Sequence, residues 1–181
     1  MDEMHGRSRD RRSVRAGAFA SVRAGTFAGA ICLCFAAPPV VGDEIGRIRA
    51  CLDGAARPLG CVGTTVEACV TGPGGDTTIG MAGCIAAETA AWDTLLNEAY
   101  RAAIEAGRAA DATGDVIAPD LTRVSTLRNA QRAWIAFRDA ECRAQYAAWG
   151  RGTMRQVAGA TCIMEETAER ALELRQMRPP E

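Results

Sequence analysis

Six cysteines, Cys51, Cys61, Cys69, Cys84, Cys142 and Cys162, are spread over a stretch that contains no histidine, and this pairing of presence and absence constrains the chain most. Their spacings of 10, 8, 15, 58 and 20 contain no CxxC pair. Zinc sites built without histidine need four thiolates in paired spacing, so a metal centre is not expected. His-based acid–base and Ser-His chemistry are excluded for the same reason, since the only histidine is His5. An even cysteine count reads instead as a disulfide framework, provided the chain reaches an oxidising compartment.

The N-terminus supplies that route. Arg7 to Arg23 is basic, and Ala24 to Gly42 is an uncharged run containing AGAICLCFAAPPVVG. A basic segment, a short apolar segment and small residues before Asp43 make a secretory signal over 1–42. Nineteen uncharged residues could just span a bilayer. Pro38-Pro39 and the abundance of alanine and glycine favour a signal that is removed, leaving no stable membrane anchor. Ile31 and Leu33 precede Cys32 and Cys34, where a lipoprotein signal needs a small residue. The expected location is periplasmic or secreted.

Beyond residue 42 the chain holds 15 basic and 19 acidic residues, a net charge near −4. Nucleic-acid binding needs clustered positive charge, and none remains. All 21 basic residues are arginine, scattered rather than grouped. No GxSxG, P-loop, HExxH or CxxCH occurs, so no enzyme activity and no cofactor are expected.

Residues 43–77 are rich in turn formers, with Gly60, Gly63 and Thr71-Gly72-Pro73-Gly74-Gly75, and only a short helical turn near Ile45 to Leu52 is expected. This extension reads as mostly irregular and held by disulfides. From Thr78 the pattern becomes helical. Ile85, Trp92, Leu95, Leu96, Ala99, Ala103 and Ile104 form one apolar stripe, capped at Thr77 or Thr78 and fading at Gly107. Asp120 is the expected N-cap of a second helix, whose stripe is Leu121, Val124, Leu127, Gln131, Trp134, Arg138, Cys142 and Gln145. Thr153 to Gln156 has the form of a capping box opening a third helix through Val157, Cys162, Thr167, Ala171 and Leu174. The fold class is therefore all-α, an antiparallel three-helix bundle over 78–178.

Six cysteines allow 15 connectivities. Cys142 and Cys162 flank a helical turn centred near Gly152 and pair first. The sequence alone does not choose the other two pairs; Cys84 is expected to bond back into the N-terminal segment, with Cys69 the first choice and Cys51 then left with Cys61. Trp92 and Trp134 fall on inner stripes and read as core, whereas Trp149, beside Gly150, reads as exposed. Arg138 on a core stripe needs a carboxylate partner, and Asp93 or Glu88 is the natural candidate, with Asn97 and Tyr100 completing the network. The neighbouring carboxylates Glu165-Glu166 and Asp139/Glu141 diverge on their helices and make no glycosidase pair.

The run Ala130 to Cys142, AQRAWIAFRDAEC, resembles the signature of the lysozyme inhibitor LprI-like domain family. The helix before it, CIAAETAAWDTLLNEAY, is similar to the family's first helix, with Trp92, Asn97 and Tyr100 in place, and Gln131, Trp134 and Arg138 belong to the signature. Cys162, Thr167, Arg170 and Leu174 follow in the family's order. Where the family commonly reads Gly-Gly-Ser, this chain has Arg151 between Gly150 and Gly152, with Thr153 in the serine position. The resemblance implies a small exported helical domain that binds and inhibits lysozyme-type glycosidases. The alternative is a structural or stress-related module that binds another envelope protein. Trp149, Arg151 and Met154 form one candidate docking loop, and the acidic segment Asp111 to Pro119 another.

Overall fold

The computed structural model describes residues 41–177, and the calls on the signal segment up to residue 40 and on Pro179-Pro180 lie outside them. Five α-helices follow one another: α1 (Val41–Gly54), α2 (Thr64–Val70), α3 (Thr78–Asp111), α4 (Arg123–Ala148) and α5 (Arg155–Gln176). A 3-10 turn at Pro58–Cys61 sits between α1 and α2, and no strand occurs among the described residues. The described residues are thus of the all-helical class.

The stripe read from the sequence is the core face of α3. Ile85, Trp92, Leu95, Leu96, Ala99 and Ile104 are buried. All but Ile104 form one cluster with Met164, Ala168, Ala171, Leu172 and Leu174 of α5, the helix α3 chiefly packs on, and Ile48 of α1 and Cys61 close it. Burying an indole such as Trp92 contributes about 2–3 kcal/mol, so this seam carries much of the domain's stability. α4 lies mainly against α5. The pairs Tyr146–Arg155, Cys142–Cys162 and Gln131–Arg170 step in opposite directions along the two helices, so α4 and α5 run antiparallel.

Several expectations change. Residues 43–77 are mostly helical rather than irregular, because α1 and α2 both find an apolar surface on α3. Tertiary packing, and not local propensity, stabilises helices this short. α3 does not fade at Gly107 but runs to Asp111. Gly107 is buried where α4 begins, and a β-carbon there would sit 3.5 Å from the Val124 side chain. Asp120 is not the N-cap of α4. Thr122 is, in a reciprocal capping box with Ser125. The Thr153 capping box does not form either. α5 begins after Met154 with no side-chain cap, and Arg155 supplies the local hydrogen bonds instead.

Three disulfides join Cys51 to Cys61, Cys69 to Cys84, and Cys142 to Cys162. The first two tie α1 to the 3-10 turn and α2 to α3. The third staples α4 to α5 close to their turn.

Candidate partner-binding surface

α2 is too short to hold its own N-terminus. Its first residues follow Gly63, whose positive φ of 87° puts a left-handed residue at the N-cap and brings no capping side chain. The cap comes from α3. Glu88 is fully buried, and its Oε2 accepts from the amides of Thr65 (3.0 Å) and Val66 (2.9 Å) and from the Thr65 hydroxyl (2.7 Å). Its Oε1 accepts from the Gly63 amide (2.7 Å) and from the Trp92 indole N–H (2.9 Å). A carboxylate at a helix N-terminus is favoured by the unpaired amides and by the helix dipole. Glu88 thus docks the extension onto the domain with neutral donors.

Arg138 therefore does not pair with Glu88, nor with Asp93. It donates to Asp139 at 2.8 and 3.0 Å and lies over the Trp134 ring, 5.0 Å from its centroid. Asn97 folds back on Asp93 along its own helix and is exposed, so no network links it to Arg138. The buried arginine is Arg170 of α5. Its Nε donates to Gln131 at 3.0 Å, its Nη1 to Glu173 at 3.0 Å, and it covers the Trp134 ring at 6.0 Å. Trp134 thus has two guanidinium groups near its ring, and the one from Arg170 is a cation–π contact that links α4 to α5. Tyr100 is half-buried and packs on the core. These motif residues build the scaffold. Glu88 could have been suspected from its place on the α3 stripe, four residues before Trp92. The role of Arg170 follows only from α5 meeting α4.

The turn between α4 and α5 is held from several sides. The Arg155 guanidinium donates to the Tyr146 hydroxyl (2.7 Å) and to the carbonyls of Arg151 (2.9 Å) and Gly152 (3.3 Å). It also lies over the Tyr146 ring. Gly159 makes room for that ring, since a β-carbon there would stand 3.2 Å from its atoms. With Cys142–Cys162 below it, the turn is pinned while Trp149 stays 53% exposed. Arg151 is exposed and Met154 half-buried. The second candidate segment is also tied down. Asp111 accepts from the Arg123 and Val124 amides at 3.0 and 3.1 Å, and so caps α4 from the end of α3. Burial alone would raise the Asp111 carboxyl, but these bonds and the Arg123 guanidinium outweigh it and hold it below its ordinary value.

Glu166 behaves in the opposite way. Partial burial raises its carboxyl, and the negative charges of Glu169, Glu141, Glu173 and Glu165 add to the effect. Carboxylates of α4 and α5 thus share one acidic surface. The grooves along α5 are lined by Glu165, Glu169 and Glu173, and not by Glu141 or Glu166. No group of residues fit to hold a metal ion occurs among the described residues. None of the described helices is long and apolar enough to cross a membrane.

Comparison with known proteins places this geometry in a family context. A family model described as lysozyme inhibitor LprI matches residues 69–174, more than half of the chain. An uncharacterized protein of Rhizobium meliloti (strain 1021) is 35% identical over 96 residues, covering 52% of this chain and 68% of that protein. No solved structure matches.

Proposed function

Because the chain belongs to the lysozyme inhibitor LprI family, we propose that it is an exported, non-enzymatic binding module that inhibits lysozyme-type glycosidases. The match over 69–174 is the observation that carries this reading. Three disulfides support a periplasmic or secreted location, where thiols oxidise and where wall-degrading glycosidases act. Fold and activity are separable, so inhibition needs its own site.

The docking element of this proposal is the turn Trp149 to Met154. A rigid turn loses little conformational entropy on binding, and an exposed indole is the commonest kind of interface anchor. Trp149 enters the partner's substrate cleft while the acidic body steers a basic enzyme towards it. Arg151 adds a donor at the rim. The test is wall lysis followed by turbidity, with oxidised protein against a panel of lysozymes. Inhibition at micromolar concentration is expected. Full lysozyme activity across the panel removes this reading and leaves binding of another envelope protein in its place.

A further inference from the structure

A second surface lies on the opposite boundary of α5, where the extension meets the family domain. An open groove of about 580 Å³ runs between the 3-10 turn and α2 on one side and α5 on the other, with the start of α3 as part of its floor. Its apolar lining includes Val62, Val66, Ile85, Val157 and Met164. Three carboxylates stand along it, Glu67 from α2 and Glu165 and Glu169 from α5, and no arginine lines this section. The groove continues past Leu59 and Glu169 into a second section of about 430 Å³ that reaches Leu172, Glu173 and Gln176, where Arg57 also lines the wall, so the acidic stretch is the first section. From Val157 to Gln176 the trough follows α5 for about 28 Å at the helical rise.

We propose that this trough is a docking site for a basic amphipathic helix presented by a partner protein, with aliphatic side chains on the apolar floor and Arg or Lys on Glu67, Glu165 and Glu169. The argument is charge complementarity. Among the described residues Arg49, Arg108, Arg123, Arg138 and Arg170 form ion pairs that leave out Glu67, Glu165 and Glu169, whose charge is left for a visitor, whereas Glu173 is already held by Arg170. Glu165 and Glu169 stand one helical turn apart, which a facing helix with basic residues at the same spacing matches. An apolar groove flanked by such a charge row is how helix-in-groove recognition is built.

The trough also gives the extension a role. Leu59, Val62, Val66 and Glu67 precede the family match at 69–174, so one wall lies outside the matched region. Which basic protein is bound rests on the inhibitor reading above.

The test uses oxidised full chain and two probes: a basic c-type lysozyme, and a 16-residue amphipathic peptide of leucine and arginine. The trough variant carries Glu67→Gln, Glu165→Gln and Glu169→Gln. A charge-matched control carries Asp53→Asn, Asp76→Asn and Asp120→Asn. Exposed ion pairs are individually weak, so losing three should make the trough variant bind about tenfold more weakly at low salt, and the control within about twofold of the parent. Equal loss in both triples overturns the trough. Lysozyme and peptide both binding the trough variant as tightly as the parent also overturns it, while inhibition stands. Peptide binding that needs the trough, without any lysozyme binding, keeps the trough and removes the inhibitor reading. Binding of neither probe by the parent overturns both. Amide shifts at Val66, Met81 and Thr161 on adding each probe to the parent protein check the location without any variant.

Discussion

Replacing Glu88 by alanine strips five hydrogen-bond donors of their acceptor at once. The amides of Gly63, Thr65 and Val66 and the Trp92 indole have no other acceptor in the structure, while the Thr65 hydroxyl can turn elsewhere. A buried donor left unpaired costs about 1–3 kcal/mol. Water entering the cavity and movement of α2 recover part of this, so the expected loss is about 4 kcal/mol, against a total stability of about 5–15 kcal/mol for a domain. Glu88→Gln fills the cavity but turns an amide N–H₂ towards two or three of the same donors. Its expected loss is about 2–3 kcal/mol. Chemical unfolding of oxidised protein measures both. Amide exchange at Gly63, Thr65 and Val66 supplies the local readout and should accelerate more than exchange within α5. Losses under about 1 kcal/mol in both variants, with slow exchange at those three amides, would refute the buried-cap argument.

Four further outcomes follow from the geometry. Cys142→Ser with Cys162→Ser opens a 20-residue loop and should cost about 3 kcal/mol in chemical unfolding, together with faster exchange in the turn. Trp149→Ala should leave the unfolding free energy within about 0.5 kcal/mol of the parent but weaken any lysozyme inhibition by at least about tenfold; undiminished inhibition removes the turn as the docking element. Glu166→Gln should raise the melting temperature at pH 7, because the folded state holds that carboxyl above its ordinary value of 4.5; below pH 4.5 the carboxylic acid and the amide should behave alike. Asp111→Asn shows the opposite sign: a carboxyl held below 3.8 stabilises above that pH, so the variant should melt lower at pH 7 and the deficit should shrink as pH falls below 3.8.

The helical class and the inner face of α3 were legible because they are local properties. A stripe at three- and four-residue steps needs only its own helix, and Trp92, Leu95 and Leu96 bury as that stripe requires. The family could be read for the same reason, since its signature from Ala130 to Cys142 is one continuous run. The α4 stripe was less reliable. It singled out Arg138 as the buried charge, yet Arg138 stays at the edge over Trp134 and Arg170 takes the interior. Periodicity reports which side chains share a face, but not which of two arginines the facing helix will cover.

By itself the sequence determined the three longest helices, the cysteine complement and the absence of histidine beyond residue 42, all of which are readable within a few helical turns. Tertiary structure decided the caps and the surfaces. α2 is capped by a carboxylate 22 to 25 residues away, α4 by one 12 to 13 residues away, and the extension becomes helical only against α3. Those contacts depend on desolvation and on chain reversals, which bring polar groups together irrespective of their spacing. The acidic trough has the same origin, because its two walls come from opposite ends of the described chain and acquire a common floor only when α3 lies between them.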